Sequence, residues 1–295
     1  MLSYQHAFHA GNHADVLKHL VLIAILERLK QKAKPFFALD THAGEGIYDL
    51  SQSPDMADKT AFEAISSGTY EDASVLSAYA NYVNNLQSKS LYPGSPAIMA
   101  HFSREMDSLH ANELSSDVCQ RLRDNIAQDN MHIHKRDAFE VLKAMLPPMP
   151  KRGLVLIDPP YEQALEYQKL NTELSKAIKK WSTGIYAIWY PLLSPTRINR
   201  KSGELEETPK AKLAASMLQG LADTAAQYCT GGVIDIQFAY SAPSEQAGMY
   251  GSGVMIINPP YLLDTVLAQI LEVLCDKVKA DNNHLSSLKW RIPAA

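Results

Sequence analysis

Seven short runs in this chain are apolar or alternate with a period of two. They are Phe36–Asp40, Ser108–Glu113, Met131–His134, Leu154–Ile157, Gly184–Tyr190, Val233–Tyr240 and Gly253–Asn258. The run Leu154-Val155-Leu156-Ile157 is continuously apolar and β-branched, with Gly153 before it and Pro159-Pro160 after it. Such a segment predicts a strand covered on both faces, as in a parallel sheet. Between the runs the period lengthens. Val16–Leu26 has helical spacing, with Asp15 in the first turn and Arg28, Lys30, Lys32 and Lys34 closing it before Pro35. Phe139–Met145 and residues 163–180 read the same way. Strands alternating with helices predict a doubly wound α/β fold with a seven-stranded, mostly parallel sheet. The last two strands are joined by a Ser/Gly/Pro-rich connection too short for a crossover helix, so they form an antiparallel pair.

Two segments stand outside this alternation. Residues 47–92 are polar, serine-rich and helix-patterned, and predict an inserted helical subdomain. The main domain is then 1–46 with 93–295, and 1–35 forms its N-terminal helical extension. Residues 194–212 are charged, with Arg197, Arg200 and Lys201 close together, and predict a mobile loop on the substrate side.

Composition narrows the class. At 295 residues with 46% hydrophobic content the chain can bury a full core. It has no stretch of about 18 apolar residues, and Met1–His6 lack a signal peptide's basic start and apolar block. Cys119, Cys229 and Cys275 are widely spaced, which fits a reducing cytoplasm and offers no zinc spacing. The net charge of −4 leaves any nucleic-acid contact to a local patch. His6, His9, His13 and His19 invite a metal reading, but no cysteine or carboxylate completes a set, and no metal is expected. With Asn12 and Lys18 they predict a polar cluster around a ligand.

Open α/β sheets bind ligands beyond the carboxyl ends of their strands, and the reactive residues of this chain stand there. Gly44 and Gly46 follow the first strand and allow close approach of backbone to a cofactor, with Asp40 placed to orient the loop. A dinucleotide-type fold expects a ribose-binding acid about 20 residues after its glycine loop. Glu113 lies 67 residues after Gly46, and setting aside the 46 residues of 47–92 leaves 21. Ser95, in Tyr92-Pro93-Gly94-Ser95-Pro96, either caps the next helix or faces the cofactor. Asp137, before Ala138, either caps a helix or accepts from an adenine amino group.

Asp158-Pro159-Pro160-Tyr161 resembles the catalytic motif of S-adenosylmethionine-dependent enzymes that methylate exocyclic amino groups, usually N6 of adenine. That nitrogen is a poor nucleophile because its lone pair is delocalised into the ring. If the Asp158 carboxylate and the Pro159 carbonyl accept its hydrogens, the lone pair turns toward the methyl donor. Proline leaves its carbonyl free and rigidly aimed, and Tyr161 would stack on an extruded base. Asn258-Pro259-Pro260-Tyr261 is a second accepted form of the motif. The strand before Asp158 is the fourth, adjacent to the first in the order 3-2-1-4-5, and borders the cofactor crevice. The strand before Asn258 is the seventh and antiparallel, so its end points away.

The resemblance extends further. Met1-Leu2-Ser3-Tyr4 with His6, then His9-Ala10-Gly11-Asn12-His13-Ala14-Asp15-Val16-Leu17-Lys18-His19, Leu39–Gly44, Tyr92–Pro96, Leu156–Glu162 and Gly184–Ala187 resemble the J family of bacterial 23S ribosomal RNA adenine-N6-methyltransferases from end to end. The resemblance implies a Rossmann-like class I methyltransferase using S-adenosylmethionine and acting on adenine 2030, by the family's name, of naked or early-assembly 23S rRNA. It implies that His19, His42, Ser95, Glu113, Asp137 with Ala138, and Asp158 contact the cofactor or the reaction centre. Asp158 is its proton acceptor, and Tyr4 lies near the RNA. That family carries histidine where the usual glycine loop has its first glycine, as His42 does here. Lys18 joins Tyr4 and Tyr161 as the expected substrate contacts, and a cytoplasmic monomer is expected. The competing readings are a DNA adenine-N6 or protein-glutamine methyltransferase of the same fold, or a catalytically silent RNA-binding homologue.

Overall fold

Helix α1 (His13–Lys30) is apolar on nearly every side, and fifteen of its eighteen residues are buried. A helix of that character belongs inside a protein rather than on its surface. Asn12 caps it, its Oδ1 accepting from the main-chain N–H of Ala14 at 2.9 Å and Asp15 at 3.0 Å. The computed structural model describes residues 10–51, 59–199, 201–246 and 248–294. After α1 come β1 (Phe37–Asp40), β2 (Ile47–Asp49), α2 (Thr60–Ser66), α3 (Val75–Gln87), β3 (Leu91–Pro93), α4 (Ser95–Phe102) and β4 (Ser108–Asn112). Then follow α5 (Ser116–Asn125), β5 (Met131–His134), α6 (Ala138–Met145), β6 (Gly153–Ile157), α7 (Ala164–Lys180) and β7 (Ile185–Leu193). The chain closes with β8 (Thr196–Ile198), β9 (Leu205–Glu207), α8 (Pro209–Tyr228), β10 (Val233–Ala239), β11 (Met249–Ile257), α9 (Leu263–Lys277) and β12 (Ser287–Ile292).

The main sheet has eight strands in the order β5-β4-β1-β6-β7-β11-β10-β12. Strands β5 through β7 are parallel, whereas β11 runs antiparallel to both β7 and β10. The predicted order about β1 holds, with β6 adjacent to it, but the expected seven strands are eight. The additional strand, β12, pairs antiparallel with β10. Its sequence, Ser-Leu-Lys-Trp-Arg-Ile, is polar and half exposed, so it lacks the apolar run that marks a covered strand.

Alternate side chains of each strand enter opposite cores. Ala38, Leu154 and Leu156 join the face covered by α1, α4 and α9, while Phe37, Leu39, Val155 and Ile157 join the face covered by α6, α7 and α8. Segment 47–92 packs into the first of these cores. Phe62 and Ile65 of α2 and Tyr79 and Val83 of α3 are buried in the same cluster as α1, and β2 pairs with β3. The stretch predicted as a loop, 194–212, instead contains the β8–β9 hairpin, braced by Arg197 against Glu206 at 2.7 Å, and the start of α8. No helix among the described residues is long and apolar enough to cross a membrane.

Candidate active site

The sheet changes winding direction at β1 and β6, since β4 and β5 lie to one side of that pair and β7 to the other. The crevice beyond such a switch point is where ligands bind in doubly wound sheets. A cavity of about 740 Å³ opens there, lined by the carboxyl-end residues of β1, β4, β5 and β6.

Its floor is knitted by groups with distant sequence partners. Asn112, at the end of β4, donates through Nδ2 to the carbonyls of Thr41 at 3.1 Å and Arg136 at 3.0 Å, tying three strand ends together. Asp40 accepts from the Ser95 hydroxyl at 2.5 Å and the His42 main-chain N–H at 3.1 Å. Burial raises the Asp40 carboxyl to a pKa of about 6, against the lowering effect of those two donors. Burial also lowers His42 to about 4, so its imidazole is neutral at pH 7. Gly44 takes φ +64°, and a Cβ there would collide with the Tyr48 hydroxyl.

Glu113 is held on the wall by two main-chain donors, Gly44 N–H to Oε2 at 3.1 Å and Ser115 N–H to Oε1 at 2.8 Å. Each carboxylate oxygen keeps a further acceptor position. Asp137 caps α6 by accepting from Phe139 N–H at 2.9 Å, and it lines the cavity beside Ala138. His42, Gly44, Ser95, Glu113, Asp137, Ala138, Asp158 and Pro159 thus share one cavity.

Lys18 reaches that cavity from α1 and forms a buried triad. Its ammonium is 2.6 Å from Asp158 Oδ2 and 2.7 Å from Asp15 Oδ1, and its side chain is 4% exposed. Burial alone would lower the Lys18 pKa; Asp15 and Asp158 outweigh it and hold it well above the usual lysine range. Removing one partner from such a triad strands a buried charge.

A second cavity, about 220 Å³, lies on the other side of the triad. It shares Lys18, Asp158 and Pro160 with the first and adds Tyr161, Tyr167, Trp189 and Lys210. The Tyr161 hydroxyl donates to the Trp189 carbonyl at 2.8 Å, and its ring packs against Tyr167 at 4.7 Å. On this wall the Trp189 indole N–H and the Tyr167 hydroxyl are buried without a hydrogen-bond partner among the described residues.

His19 does not reach either cavity. It is fully buried behind the wall, with Nδ1 3.1 Å from the Tyr92 hydroxyl. Tyr4 lies outside the described residues. The second tetrad stands at the opposite end of the sheet, where Ile257 is level with Tyr186 at the start of β7. Asn258 there accepts from Gly231 N–H at 3.1 Å and donates to the carbonyls of Ser182 at 2.9 Å and Gly184 at 2.7 Å, a clasp between loops. Among the described residues, no three or more His, Cys, Asp or Glu side chains gather as metal ligands. Asn112, Trp189 and Lys210 carried no motif in the sequence; Asn112 is marked by its place at the end of β4 and Lys210 by its place at the start of α8, whereas Trp189, in the middle of β7, had no local signal.

Residues 33–292 match the family described as ribosomal RNA large subunit methyltransferase D, RlmJ. The chain is 38% identical over 301 residues to ribosomal RNA large subunit methyltransferase J of Escherichia coli K12, covering 99% of this chain and all of that one. It is 38% identical over 302 residues to the protein of the same name from Haemophilus influenzae, with the same coverage. Among solved structures, protein LPL1258 of Legionella pneumophila superposes with a TM-score of 0.77 at 29% identity, covering 97% of this chain and 98% of that one. The chain belongs to the RlmJ family of ribosomal RNA large subunit methyltransferases.

Proposed function

We propose that the protein transfers a methyl group from S-adenosylmethionine to the exocyclic N6 of an adenine in 23S rRNA, position 2030 by the family's name. The observation that carries this reading is the meeting of two cavities at Asp158, Lys18 and Pro160. The larger has the size of a cofactor site, and its donor set fits S-adenosylmethionine. Glu113 offers its remaining acceptor positions to the ribose hydroxyls, Asp137 and Ala138 hold the adenine edge, and the Gly44 turn admits the main chain. When bound, that cofactor supplies an electrophilic methyl group.

The smaller cavity suits a flipped base. Its walls carry the rings of Tyr161, Tyr167 and Trp189, apolar surface against which a planar base can pack. Asp158 has one oxygen on Lys18, which leaves Oδ1 to accept from the substrate amine. The Pro159 carbonyl, outside the sheet ladder, accepts the second amine hydrogen. Asp158 accepts hydrogen bonds in this scheme, and the product loses its extra proton to water. Because the base must leave its helix, naked or early-assembly RNA is the proposed partner.

The test combines calorimetry of S-adenosylmethionine binding with transfer of labelled methyl to 23S rRNA from cells lacking the modification. Digestion and mass spectrometry should then find N6-methyladenine. Cofactor binding without transfer would leave a silent RNA-binding homologue, and label on protein or DNA would point to another substrate.

A further inference from the structure

Lys210 is the second residue of α8, directly after the β8–β9 hairpin, and it reaches back to the loop that follows β6. Its Nζ donates to the carbonyls of Glu162 at 2.6 Å and Tyr161 at 2.9 Å. Tyr161 stands at φ +52°, a left-handed backbone that a tyrosine keeps only where its surroundings enforce it. Three contacts do so here: the Lys210 ammonium on the carbonyls, the Tyr161 hydroxyl on the Trp189 carbonyl, and the Tyr167 ring. The residues leading into this turn are Asp158, Pro159 and Pro160.

Helix electrostatics does not account for a lysine at this place. Lys210 lies in the first turn of its own helix and beside the amino end of α7, and the positive pole of a helix disfavours a cation at both. The two carbonyls compensate it, since hydrogen bonds from a charged donor are the stronger kind, and so does the Glu166 carboxylate in the first turn of α7, which interacts with the ammonium. Lys210 lines the smaller cavity and is absent from the wall of the larger, so its effect is separable from cofactor binding.

We infer that Lys210 is a positioning residue for methyl transfer. Its grip on the carbonyls of 161 and 162 fixes the left-handed turn that aims the Asp158 carboxylate and the Pro159 carbonyl, and it couples the seating of the hairpin to the reaction centre. The inference rests on the function proposed above.

The experiment compares Lys210→Met and Lys210→Arg with the wild type in the full chain. In the free protein, amide exchange over 161–166 should rise about tenfold in Lys210→Met while β1 and β6 exchange unchanged. Affinity for S-adenosylmethionine should stay within about twofold. The kcat on 23S rRNA should fall about 10- to 100-fold, with KM for the RNA moving less than about threefold. Lys210→Arg, which keeps a charged donor, should recover part of the rate. Wild-type exchange and kcat in Lys210→Met would overturn the inference, and so would a parallel loss of melting temperature and cofactor affinity. A wild type that transfers no methyl while Lys210→Met still loosens the loop would overturn the methyl-transfer reading and support the grip.

Discussion

Asp158 holds Lys18 with one oxygen, and its other oxygen has no protein partner among the described residues. Its substitution therefore removes the proposed amine acceptor and also costs stability, leaving the buried Lys18 ammonium to Asp15 alone. Asp158→Ala should fold, bind S-adenosylmethionine, and lose at least about 10²- to 10³-fold in kcat, the scale of one preorganised group at a reacting centre. Single-turnover assays check this, and wild-type turnover would remove Asp158 from the mechanism. Asn258, in the sister tetrad, predicts the reverse. Asn258→Ala leaves Gly231 N–H and the carbonyls of Ser182 and Gly184 without their partner, so it should cost about 1–3 kcal/mol of stability by urea unfolding and little rate. Asp40 supplies a pH signature. Its folded pKa is raised from 3.8 to about 6, so its contribution to stability is complete below 3.8 and is lost as pH rises through about 6. The unfolding free energy of Asp40→Asn relative to wild type should therefore improve by about 2–3 kcal/mol between pH 4 and pH 7. His42, lowered from 6.5 to about 4, acts oppositely: its contribution is present above 6.5 and lost as pH falls through about 4.

At the scale of elements, the legible parts were those whose signal is local. The strands β1, β4, β5, β6 and β7 follow from runs that are apolar or alternate with a period of two, and the residues at the carboxyl ends of β1, β4, β5 and β6 from the acid that ends or closely follows each. The second tetrad was legible as misplaced because strand count alone sends its end the other way. What escaped was set by distant partners. Asn112 matters because Thr41 and Arg136 converge on it, β12 is ordered by β10, and the β8–β9 hairpin forms in a charged stretch that resembles a solvated loop. His19 shows the converse, a residue marked by resemblance that the fold keeps behind the wall. Segment 47–92 reads as an insertion but contributes Phe62, Ile65, Tyr79 and Val83 to the cover of α1. Replacing 50–90 by a short turn should therefore give a chain that fails to fold, seen as loss of cooperative thermal unfolding. Cooperative unfolding of the shortened chain would establish the segment as a separable unit.

At the scale of the whole molecule, the winding switch of the sheet decides where everything gathers, and α1 threads its charged residues into that place from one covered face. The protein carries a net charge of −4, so the grip on RNA proposed for it calls for a local patch rather than a broad field. Among the described residues, the linings of the two cavities share Lys18, Asp158 and Pro160. Each proposed occupant therefore has a chamber of its own, and on that arrangement neither has to depart before the other is exchanged. Initial-rate measurements should accordingly give intersecting lines with no compulsory order of addition, and S-adenosylhomocysteine should compete with the methyl donor while leaving the nucleic acid free to come and go.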